Sequence, residues 1–159
     1  MLCKLALCQL AVTANKAKNV QHAVKMISRA AKSKANIVVL PECFNSPYGT
    51  DYFPKYAETF KHSLVYSDSS ESGKEFDTLH HISKSAKDNN VFVVAGSIPE
   101  LDNNKLYNTS VTFDPNGKIV AKHRKIHLFD IDIPNGIKFQ ESKVLSPGKN
   151  LTYFNTKNW

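Results

Sequence analysis

The chain has 159 residues, of which 42% are hydrophobic and 22% charged, and a net charge of +7. That length supports one domain with a real core, and no stretch approaches the roughly 20 apolar residues of a membrane span. Three cysteines without paired metal spacing argue against a disulfide scaffold and point to the reducing cytosol.

The N-terminus carries no separate basic region and runs straight into strand-like sequence, so a cleaved signal peptide is not expected. Residues 4–10 alternate weakly and are apolar on both faces, as a buried strand is. Residues 13–19 are polar and open a helix. In it Val20, Ala23, Val24, Ile27, Ala30 and Ala31 recur at helical spacing, and lysines and Arg29 fill the other face. Ile37-Val38-Val39-Leu40 is a short β-branched run. Strand, helix and strand within forty residues mark an α/β domain.

Residues 45–68 are richer in Pro, Tyr and Ser and read as a long irregular segment with one helical turn near 54–60. A loop of that length is uncommon unless functional. Ser72-Gly73-Lys74-Glu75 matches a capping box, and Phe76, Leu79, Ile82 and Ala86 follow at helical spacing. Residues 91–98 read as one strand buried on both faces. Residues 106–113 and 118–122 flank Asp114-Pro115-Asn116-Gly117, a strong turn signal, and form a hairpin. From His127 onward the chain is irregular, and residues 151–154 begin a further strand.

The positive charge raises the question of a nucleic-acid partner. Most lysines lie along helix-like segments as a solvated face, and no aromatics alternate with the one dense cluster, Lys122-His123-Arg124-Lys125. Neither a nucleic acid nor a membrane is expected as a partner. The histidines do not build a metal site. His80 and His81 are adjacent and point apart, and His123 and His127 share helical ligand spacing only on strand and loop.

Glu42 follows the apolar run that ends at Leu40-Pro41. Strand ends are where an α/β scaffold presents side chains to a cleft, and desolvation there makes a carboxylate a better base near neutrality. Lys125 ends the basic run of residues 118–125 with Ile126, Leu128 and Phe129 behind it. A fixed ammonium in that setting stabilises an oxyanion. Arg124 and Lys122 are close rivals for the role. Glu141 stands between apolar and small residues, where a second carboxylate orients a lysine or a substrate. Cys3 and Cys8 read as core residues of the first strand. Cys43 directly follows Glu42, and adjacent extended residues face opposite ways, so Glu42 is poorly placed to deprotonate it.

Taken together these motifs are more specific than apart. Val38-Val39-Leu40-Pro41-Glu42-Cys43-Phe44, then His123-Arg124-Lys125-Ile126-His127-Leu128-Phe129-Asp130, then Phe139-Gln140-Glu141-Ser142 with Leu145-Ser146-Pro147-Gly148, resemble the nitrilase, or carbon–nitrogen hydrolase, superfamily. Asn45-Ser46-Pro47-Tyr48-Gly49, Tyr52-Phe53-Pro54 and Asp130-Ile131-Asp132-Ile133-Pro134 are most similar to its omega-amidase branch.

The resemblance implies an α/β fold, the α-β-β-α sandwich of the nitrilase type, truncated before its later strands. Residues 1–159 are then a single, incomplete carbon–nitrogen hydrolase domain. It implies a Glu-Lys-Cys triad in which Glu42 matches the general base, Lys125 the lysine that stabilises the tetrahedral intermediate, and Glu141 an additional active-site glutamate. The nucleophilic cysteine belongs to a later strand end that this sequence does not reach. The implied reaction is hydrolysis of the terminal amide of short keto-acid amides, in a cytoplasmic homodimer, with no metal or organic cofactor. Two alternatives accompany this reading. One is a short form without catalysis that pairs with a longer subunit, and the other is a different amide specificity within the superfamily.

Overall fold

The computed structural model describes residues 2–60 and 77–156. The capping-box expectation at Ser72-Gly73-Lys74-Glu75, with Phe76, lies outside those residues. Strand β1 (Leu5–Leu7), helix α1 (Lys16–Lys32) and strand β2 (Ile37–Val39) follow in the expected order. Next come the short helix α2 (Phe53–Tyr56), helix α3 (Thr78–Asn89), and strands β3 (Phe92–Val94), β4 (Ile98–Asp102), β5 (Lys105–Phe113) and β6 (Ile119–Arg124). A small antiparallel pair, β7 (Asp130–Asp132) and β8 (Lys138–Gln140), closes the series.

Local chemistry sets the helix ends. The Asn15 side chain accepts from the Lys18 N–H to cap α1, and Asp77 does the same for His80 at α3. Asn90, at φ 51°, ends α3 in the left-handed conformation that Asn tolerates. Val20, Ala23 and Ile27 of α1 and Leu79, Ile82 and Ala86 of α3 are buried against Val38, Leu40, Val93, Val111 and Phe113 of the sheet.

β1, β2 and β3 run parallel, and β5 lies antiparallel to β3, β4 and β6. β3 and β4 succeed one another along one edge of β5, and β6 takes its other edge. The helices cover one face of this six-stranded sheet. On the opposite face Leu5 and Leu7 are 55% and 76% exposed, so β1 is not the doubly buried strand its composition suggested. Phe154 stacks on Phe92 with ring centroids 6.0 Å apart, but residues 151–154 form no strand. Among the described residues no helix is long and apolar enough to cross a membrane.

The apolar run 91–98 is not one regular strand. Val94 pairs with Thr112 and Ile98 with Thr109, so the register against β5 slips by one residue in between. That slip is a β-bulge, with Gly96 at φ 50°. A Cβ on Gly96 would lie 1.9 Å from the Pro41 carbonyl oxygen, so only glycine lets the turn after β2 sit this close. Gly96→Ala is expected to destabilise the protein by roughly 2–4 kcal/mol, from backbone overlap added to left-handed strain. Urea unfolding of the whole protein checks this, and an unchanged midpoint would show that the turn moves freely.

Candidate active site

The bulge fixes the turn that carries Glu42. The Leu40 N–H donates to Val94 O at 3.0 Å, Phe44 N–H to Ser97 O at 3.3 Å, and Cys43 N–H to Ser97 Oγ at 3.0 Å. Glu42 thus projects beyond the C-terminal end of β2, at the sheet edge where open α/β folds place their ligands. β6 runs in the same direction as β2, so Lys125 leaves the sheet at the same edge. The Lys125 main chain is clamped on both sides. Its N–H donates to Asn108 O, and its carbonyl accepts from the Gly148 N–H, both at 2.8 Å. A Cβ on Gly148 would come within 2.1 Å of Arg124 O, which explains the glycine there.

The side chains then meet. Lys125 Nζ lies 2.9 Å from Glu42 Oε1 and 3.0 Å from Glu141 Oε2. Asn108 Nδ2 donates to Glu42 Oε1 at 2.7 Å. Glu141, in a single 3-10 turn after β8, is wholly buried and accepts from Tyr48 Oη–H at 2.5 Å and from the Phe129 N–H at 2.7 Å. Tyr48 is held edge-on to Phe53 and stacked on Phe139. The three residues singled out in the sequence, Glu42, Lys125 and Glu141, therefore form one continuous carboxylate–ammonium–carboxylate cluster. It opens onto a cleft of about 490 Å³ lined also by Ser97, Ser110, His123 and His127.

The Glu42 side chain is 47% exposed, so it is partly desolvated, as its position suggested. Burial works to lower the pKa of Lys125, but hydrogen bonds to Glu42 and Glu141 outweigh it and hold the ammonium above its ordinary range. Burial, and then the hydrogen bond to Glu141, push the Tyr48 hydroxyl up, so it remains a donor. Burial pushes the Cys43 thiol up to about 12, with the Glu42 charge adding to the effect. Cys43 sits in a small core with Phe53 and Leu145, and none of the chain's three cysteines lines the cleft.

The carbon–nitrogen hydrolase family model matches residues 4–159. The chain belongs to the carbon–nitrogen hydrolase family. Over 153 residues the chain is 49% identical to the mouse omega-amidase NIT2 and 48% identical to the human one, in each case over 96% of the chain and 50% of the relative. It therefore spans about half the length of the curated relatives it matches. Saccharomyces cerevisiae Nit3, a member of branch 10 of the nitrilase superfamily, superposes with a TM-score of 0.78 at 41% identity, covering 98% of this chain and 52% of Nit3. The architecture is thus the nitrilase-superfamily α/β fold.

Two residues of this cluster were not singled out in the sequence. Asn108 lies within β5, where Asn is a poor strand former, and that mismatch was its only signal. Tyr48 lies in a loop motif noted above, but its contact with Glu141 spans 93 positions and leaves no local trace. The rivals Lys122 and Arg124 face the other way. Both pair with the buried Glu100, Arg124 through two hydrogen bonds of 2.8 Å.

Proposed function

We propose that the protein is an amidase that hydrolyses the terminal amide of short keto-acid amides, such as 2-oxoglutaramate and 2-oxosuccinamate, to the acid and ammonia. The observation that carries this reading is the Glu42–Lys125–Glu141 cluster at the mouth of the cleft, in a chain 48–49% identical to omega-amidases. The nucleophile is a cysteine thiol supplied from outside these 159 residues, which form one part of a larger hydrolase domain. Glu42 takes the thiol proton, and the thiolate attacks the amide carbonyl carbon. Lys125 faces the oxygen on which negative charge develops and stabilises it there. The carbon–nitrogen bond breaks as Glu42 returns the proton to the leaving nitrogen, and ammonia departs from a thioester. Glu42 then deprotonates water, whose attack releases the carboxylic acid and the thiol. Glu141 keeps its ion pair with Lys125 throughout. The working form is a cytoplasmic homodimer acting on a small-molecule amide.

The test is hydrolysis by the whole protein of 2-oxoglutaramate against deaminated glutathione, read as the 2-oxoglutarate that both release, since the first frees ammonia and the second a peptide amine. We expect kcat/KM to favour 2-oxoglutaramate by at least about 100-fold, the scale at which a pocket discriminates between substrates by shape and size. A preference for deaminated glutathione would move the protein to a different amidase specificity of the same family.

A further inference from the structure

The two oxygens of Glu42 are not equivalent. Oε1 accepts from Asn108 Nδ2 at 2.7 Å and from Lys125 Nζ at 2.9 Å, whereas Oε2 has no hydrogen-bond partner among the described residues. The two donors differ in kind. Lys125 is shared with Glu141 at 3.0 Å, and an ammonium that turns toward a developing oxyanion leaves Glu42. Asn108 is buried, its main chain is fixed in β5 opposite Pro99, and its amide donates to Glu42 alone among the described residues.

We infer that Asn108 is a positioning residue that pins Oε1 of Glu42 and leaves Oε2 as the atom that accepts and returns the proton. A carboxylate on a half-exposed side chain rotates freely unless something holds it. With Lys125 engaged by the substrate oxygen, Asn108 is the remaining tether. It keeps Oε2 directed at one point in the cleft through both the acylation and the hydrolysis steps. This inference rests on the assignment of Glu42 as general base.

The test is a double-mutant cycle in the whole protein with the amide substrate. Asn108→Ala is expected to lower kcat by roughly 10- to 100-fold, the scale of a lost hydrogen bond to a charged group, with KM changed by less than about twofold. In the Glu42→Gln background the same substitution is expected to change the residual kcat by less than about twofold, because the two residues act as one unit. Equal losses in both backgrounds would overturn the inference, as would an unchanged kcat in Asn108→Ala alone. Glu42→Gln with full activity would instead overturn the assignment of the base itself. If the alanine variant fails to fold, Asn108→Ser, whose hydroxyl is too short to reach Glu42, takes its place in the cycle. Loss of folding in both would make the amide a structural group and overturn the inference.

Discussion

Replacing Lys125 by methionine is expected to lower kcat of the whole protein by roughly 100- to 1,000-fold, as loss of an oxyanion donor does. It is also expected to destabilise the fold by about 3 kcal/mol, the low end for breaking a buried ion pair, because Lys125 itself remains a quarter exposed. Both losses have one cause. Glu141 has no access to solvent, and among the described residues Lys125 is the cation that balances it. Methionine fills similar volume but leaves Glu42 and Glu141 as two carboxylates with no charge between them. Urea unfolding and kcat, measured on the same preparation, separate the two effects. A variant with a wild-type urea midpoint would show that Tyr48 and the Phe129 N–H suffice for Glu141. A variant with wild-type kcat would remove Lys125 from the chemistry.

Lys125→Arg refines the test. A guanidinium restores the charge but spreads it over a planar fork too wide for a site built around one nitrogen. Stability is expected to recover and kcat is not. The pH dependence has a definite sign. Because the folded pKa of Lys125 is raised, its contribution to stability is fully present below the unfolded lysine value of about 10.4 and fades as pH rises through the higher folded value.

How much of this was legible in advance depended on whether the signal was local. The face of α1, the β2 run and the turn at 114–117 are each written within a few residues of themselves, and each appears where it was read. The bulge at Gly96 was not legible. Residues 91–98 are nearly all apolar, so there is no alternation whose phase could be seen to slip. The β4–β5 turn also escaped notice, although Asn103 and Asn104, at φ 48° and 60°, carry the residue type that tolerates it. β7 and β8 are three residues each, too short for a period to show.

The candidate site divides in the same way. Glu42, Lys125 and Glu141 could be named from their positions, but sequence position alone could not choose among Lys122, Arg124 and Lys125. Strand register separates them by face. Thr109 opposes Arg124 and Val111 opposes Lys122, so those two cations point to the face that also carries the buried Val111. His123 opposes Ser110 on the other face, and Lys125, the next residue of that parity, reaches Glu42. Without knowing where β5 pairs, the parity of the basic run is invisible.

That division predicts that the two faces of β6 can be damaged separately. Glu100 is 1% exposed and accepts from Arg124, Thr109 and Lys122, with Arg124 lying 3.7 Å over the Tyr107 ring. Glu100→Ala is expected to destabilise the protein by about 3–4 kcal/mol, since it leaves Arg124 and Lys122 without their shared partner. Arg124 keeps Asp102 at 2.7 Å, which limits the loss. The cost must depend on pH. Burial acts to raise the Glu100 pKa, but the bonds from Arg124, Lys122 and Thr109 outweigh it and hold the carboxyl below its ordinary range. Its stabilisation is therefore complete above the unfolded glutamate value of about 4.3 and is lost as pH falls through the lower folded value. The gap between wild type and Glu100→Ala, read from urea midpoints, should be constant near neutrality and narrow below about pH 4. A gap that widened in acid would show that burial, not pairing, governs the carboxyl. At temperatures where the variant stays folded, kcat is expected to remain within about twofold of wild type. Lys125 would still be clamped through its main chain by Asn108 and Gly148. A large fall in kcat without unfolding would mean that the Glu100 side of the strand sets the position of Lys125 after all.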